Sequence, residues 1–242
     1  MSCCGLDADS ILARVGAESA PPRVPTARQS LFIVGLGFGL VGLAAFSVWA
    51  FAGGALTRGL GEAGFYAVCA VVFIGLAGLV FGQLVIGPGG TARMYALFTP
   101  AYLAYASLWC AAWFALAGRQ GWLGGELKAE LVGAALGGVA MAAVILWGFG
   151  SLREFGRGTL ALFAGNALGY FLGKIAWQWL RGEGAQIFAG VLTREQRGWF
   201  AMLAWGLLYG ACFGGAIGYT IFVSQERVRA GLRTGIPLRP NS

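Results

Sequence analysis

Six apolar segments, each near the ~20 residues a helix needs to cross a bilayer, are joined by loops too short to hold a domain. They run over residues 30–56, 65–87, 94–118, 131–150, 159–180 and 199–223. In hydrocarbon a helix satisfies its own backbone N–H and C=O groups. The expected fold is therefore all-α, a polytopic membrane protein of six transmembrane helices. Its surface agrees, because 58% of the residues are hydrophobic and only 11% charged, against ~25% charged in soluble domains. Lipid is the solvent this chain is built for.

The domain boundaries follow. Residues 1–29 form an N-terminal arm, 30–224 the membrane domain, and 225–242 a short basic tail. The arm is no signal peptide, since Asp7, Asp9 and Glu18 stand where a basic leader would be. Asp9 or Ser10 suits the cap of a short helix through Ile11–Val15, and Pro21, Pro22 and Pro25 make an extended linker. Such an arm is expected to be partly disordered or laid on a partner. Within the spans, Gly53-Gly54 should tilt or shorten the first, and Thr99-Pro100 should kink the third. Thr193–Gln196 matches a capping box before the sixth. In the preceding loop, Ile187, Phe188, Val191 and Leu192 suit a short interfacial helix.

The arginines orient the chain. With the N-terminus inside, ten basic residues (Arg14, Arg23, Arg28, Arg93, Arg153, Arg157, Arg227, Arg229, Arg233 and Arg239) face the cytoplasm. Six (Arg58, Arg119, Lys128, Arg181, Arg194 and Arg197) face away. This bias places both termini in the cytoplasm. The net charge of +7 is scattered over loops and ends, with no basic run alternating with aromatics, so nucleic acid is not an expected partner. Only Lys128 and Lys174 are lysine, while Ala and Gly abound, which points to a GC-rich bacterial genome and hence to the inner membrane.

Histidine is absent. That removes His-ligated metal and haem sites and Ser-His or Cys-His catalysis. Cys69, Cys110 and Cys212 lie within spans as packing residues, and Cys3-Cys4 is a pair without other ligand-type neighbours. No metal, no cofactor and no catalytic residue is expected.

Two stripes mark the fifth span. Gly165, Gly169 and Gly173 recur every four residues, and so do Asn166, Tyr170, Lys174 and Gln178 beside them, giving a bare face next to a polar ridge. The sixth span repeats the glycine pattern at Gly206, Gly210, Gly214 and Gly218. Without side chains, backbones approach closely and gain dispersion contacts, so spans five and six are expected to cross through these stripes. Lys174 is the one charge inside any segment as bounded above, with every acid in a loop or flank. It can snorkel outward or touch a solute, a lipid headgroup or an ion. Asn166 is expected to bond to a neighbouring helix, with Gln83, Thr99, Tyr209 and Tyr219 as candidate partners.

Two functions are compatible with this reading. The first is a non-catalytic membrane subunit, an accessory or scaffold component in contact with other membrane subunits or with its own copies. The second is a small-solute transporter or channel using the polar ridge.

Overall fold

The computed structural model describes residues 4–19, 21–118, 125–182, 184, 186–188 and 190–234. Cys3, Arg119, Arg239 and residues 235–242 of the basic tail lie outside them. Two short helices, α1 (Ala8–Gly16) and α7 (Glu226–Thr234), bracket five long ones. These are α2 (Ala27–Gly82), α3 (Gly90–Leu116), α4 (Gly125–Gly148), α5 (Phe155–Arg181) and α6 (Arg194–Ser224), with a 3-10 turn at Leu152–Glu154 before α5. Among the described residues there is no strand.

Four helices are long and apolar enough to cross a membrane: Ala27–Gly82, Gly125–Gly148, Leu152–Arg181 (α5 with its leading turn) and Arg194–Ser224. The six expected segments are thus distributed differently. The first two are joined in α2. The third is helical, within α3, but carries Tyr95, Thr99, Pro100, Tyr102 and Tyr105, which dilute its hydropathy. Helix α3 runs unbroken through Pro100.

Straight, the 56 residues of α2 would span ~84 Å at about 1.5 Å per residue. The chain instead turns at Gly61, with φ 72° and ψ 175°, a backbone region essentially confined to glycine. Phe38 then packs on Phe73 and Phe81 at 5.9 and 5.1 Å, and Trp49 meets Phe65 at 6.1 Å. Pairs converging on Gly61 make α2 a hairpin of two antiparallel arms, 27–60 and 62–82. Gly53 and Gly54, expected to tilt or shorten the first span, keep helical backbone, and the one non-helical residue inside α2 is Gly61.

Part of the N-terminal arm is laid on the chain's own body. Leu6, Ile11 and Val15 are buried against the body, and α1 lies on α7. Its cap is Asp7 rather than the expected Asp9 or Ser10, and Asp7 accepts hydrogen bonds from the Ser10 N–H at 3.0 Å and hydroxyl at 2.8 Å. Gln225, between α6 and α7, locks this end by accepting from Ile86 N at 2.9 Å and donating to Leu84 O at 3.1 Å. The Thr193 capping box forms as expected at the far end, and at this end Thr26 with Gln29 makes a second one opening α2. Of the loop expected to hold a short interfacial helix, residues 183, 185 and 189 lie outside the described residues; Gly184 is in a 3-10 turn, 186–188 and 190–191 are in turns, and Ile187 and Val191 are exposed.

The long helices meet where side chains are missing. A Cβ on Gly206 would stand 2.7 Å from Gly42 O, and one on Gly218 would stand 2.8 Å from Ser30 O. Gly210 and Gly214 close on Phe38 in the same way. This row of α6 faces the first arm of α2, not α5. Gly165, Gly169 and Gly173 face a different side of α6, at Ala216 and Cys212, Tyr209, and Trp205 respectively. The two stripes therefore do not cross each other. Helix α6 sits between α2 and α5 and presents bare backbone to only one of them.

Candidate functional site

A cavity of about 340 Å³ lies in the half of the bundle opposite α1 and α7. Every long helix contributes to its wall. The α2 arms supply Phe46, Trp49, Phe65 and Tyr66, α3 supplies Tyr102, Tyr105, Trp109 and Trp113, and α6 supplies Trp205 and Tyr209. Helices α4 and α5 add Glu130 and Tyr170. Near the α1 end the second arm and α3 are pressed together, with Gly78 on Tyr95 and Gly82 on Thr91. Toward the other end they part, and Cys69 and Cys110 line the gap.

Glycine seats the large rings. A Cβ at Gly137 would stand 2.6 Å from the Tyr105 ring, and one at Gly133 would stand 2.9 Å from the Trp109 ring. Gly173 admits the Trp205 ring, and Gly169 lets α5 close on the backbone of α6 at Tyr209. The small residues of α4 and α5 thus let a double layer of aromatics stand between helices, and the cavity is the space these rings do not fill. Trp109 and Trp113 stack nearly parallel at 5.4 Å and 9°, and Tyr105 packs on Phe213 at 4.9 Å.

Polar groups are few and buried. Asn166 is fully buried, and its Oδ1 accepts from the Tyr105 hydroxyl at 2.6 Å and the Tyr209 hydroxyl at 2.9 Å. The two hydroxyls are 3.0 Å apart. Two hydroxyl protons serve three short contacts, so one contact lacks a donor, and the Asn166 Nδ2 has no partner. Glu130 is 1% exposed. Its Oε1 accepts from the Trp109 indole at 3.4 Å, and its Oε2 has no hydrogen-bond partner.

The ridge read from α5 does not act as one surface. Asn166 is locked into the tyrosine pair, and only Tyr170 borders the cavity. Lys174 pairs with Glu126 on α4 at 3.5 Å, and Gln178 is exposed. Of the anticipated partners of Asn166, Tyr209 is in place, while Tyr105 was not foreseen. Glu130 overturns the expectation that every acid lies in a loop or flank. Helix α4 begins at Gly125, six residues before the apolar run, which brings Glu130 inside a membrane-length helix. The signal was present in the spacing: Glu126, Glu130, Gly133 and Gly137 fall on one face at intervals of three and four.

A broader depression of about 490 Å³ lies at the ends of α5 and α6, between Trp177, Arg181, Arg194 and Trp199. Arg181 covers the Trp177 ring at 4.7 Å, and among the described residues of the depression's lining none is a buried polar group. No family model, curated protein or solved structure matches the chain, so its role has to be read from these residues.

Proposed function

We propose that this chain is a non-enzymatic membrane protein that binds a small, mainly apolar solute within the bilayer and serves its transport. The proposal includes six crossings, counting both arms of α2 and α3. It also includes packing through the glycine rows, both termini in the cytoplasm, and a bacterial inner membrane. The observation that carries it is the 340 Å³ aromatic cavity shared by all the long helices. Binding sites are concave, mostly apolar and equipped with a few polar groups that fix orientation. The cleft opens between the second arm of α2 and α3, where Tyr66 and Phe114 of its wall are exposed, which gives a solute a way in from the bilayer.

The competing expectation is a scaffold subunit of a larger complex, and purification in mild detergent separates the two. A lone chain or homo-oligomer carrying an extractable small molecule in stoichiometric amount supports solute binding. Stoichiometric co-purification of another polypeptide, with no small molecule retained, favours the subunit.

A further inference from the structure

Glu130 is the one formally charged residue in the cavity wall. It is buried, yet one carboxylate oxygen has no partner and the other receives a single long hydrogen bond. The nearby ammonium of Lys174 is engaged by Glu126. Two carboxylates therefore share one cation, and Glu130 has no countercharge of its own at the edge of an aromatic chamber. A buried carboxylate demands a countercharge or donors, and the protein supplies only an indole N–H. The surrounding ring faces carry the negative pole of their quadrupoles, which attracts cations. A hard metal ion would need several oxygen ligands, and a single carboxylate among rings does not provide them.

We propose that the cavity takes a lipophilic organic cation, an amine or quaternary ammonium with an aromatic or alkyl body. Its charge pairs with Glu130 and its body lies against Trp49, Trp109 and Trp205. This rests on the solute-binding reading above and adds the charge and class of the solute.

The test uses the full chain in nonionic detergent, with tryptophan fluorescence titrated by two probes of the same shape. Benzyltrimethylammonium carries the charge, and neopentylbenzene is its neutral isostere. The wild type is expected to bind the cation at least tenfold more tightly than the isostere. Glu130→Gln is expected to lose at least tenfold in cation affinity while leaving the isostere unchanged, with Glu130→Asp retaining part of the effect. Equal affinity for both probes, or cation binding unaltered in Glu130→Gln, overturns the cation assignment and leaves the cavity reading intact. Saturable binding of neither probe overturns both. Should Glu130→Gln fail to fold, the comparison of probes on the wild type decides alone.

Discussion

Replacing Gly210 by alanine adds one methyl group to the α2–α6 seam. That methyl would stand 3.1 Å from both Gly39 Cα and Gly42 Cα, and nearer still to the Phe38 carbonyl oxygen. Carbon atoms prefer about 3.5–4.0 Å, so the helices must part by roughly 0.5–1 Å, which forfeits a quarter to a half of each contact worth ~0.1–0.2 kcal/mol. Over about 40 atom pairs, the number one buried leucine makes, the loss is about 1–4 kcal/mol. Alanine recovers at most ~1 kcal/mol in helix propensity. Gly210→Ala should therefore destabilise by up to about 3 kcal/mol. Gly75→Ala is the control, since nothing lies within 4 Å of its added methyl, and it should be neutral or slightly stabilising. The assay is reversible unfolding in mixed micelles at rising denaturing-detergent fraction. If Gly210→Ala unfolds at or beyond the wild-type midpoint, backbone approach is not what holds this seam.

Other outcomes follow from single contacts. Gly61→Ala forces a side chain into φ 72° and should cost about 1–3 kcal/mol, seen as a lowered thermal midpoint; an unchanged midpoint would mean the hairpin turns elsewhere. Asn166→Leu removes the acceptor of two tyrosine hydroxyls and should cost about 1–2 kcal/mol, since interhelical hydrogen bonds in membranes average ~0.6 and reach ~1.7 kcal/mol each, measured in the same micelle titration. At Asp7, burial pushes the carboxyl up, but the hydrogen bonds from Ser10 outweigh it and hold it below its usual range. Its folded value lies under the unfolded one, so its support for α1 is complete above the unfolded value and is lost as pH falls through the folded one. Amide-exchange protection over residues 8–16 should drop across that acid window in the wild type and show no such step in Asp7→Asn.

Much of the helical content was legible because apolar runs of membrane length leave few alternatives, and the Thr193 cap could be read from four residues. Distribution was harder. The hairpin in α2 depends on one backbone angle at Gly61, and nothing distinguishes that glycine from Gly53 or Gly54 until the arms are packed. The glycine rows were visible as rows, but their partners were not, because a bare face on α6 serves a neighbour on either side equally well in one dimension. The site was missed for a related reason. Hydropathy bounds α4 at its first apolar residue, whereas the helix begins six residues earlier and carries Glu130 inward. Aromatics spread over α2, α3 and α6 look like ordinary membrane residues until they surround one space.

Whether that space is kept for a solute is settled most directly by filling it. Ala106 borders the cavity, and Ala106→Phe would occupy a large part of it. Four cavity tryptophans (Trp49, Trp109, Trp113 and Trp205) report on it, so saturable quenching by bromobenzene is the measurement. The wild type should show a saturable component that Ala106→Phe abolishes while its thermal midpoint holds or rises. Saturable quenching that survives in a folded Ala106→Phe protein would contradict the account.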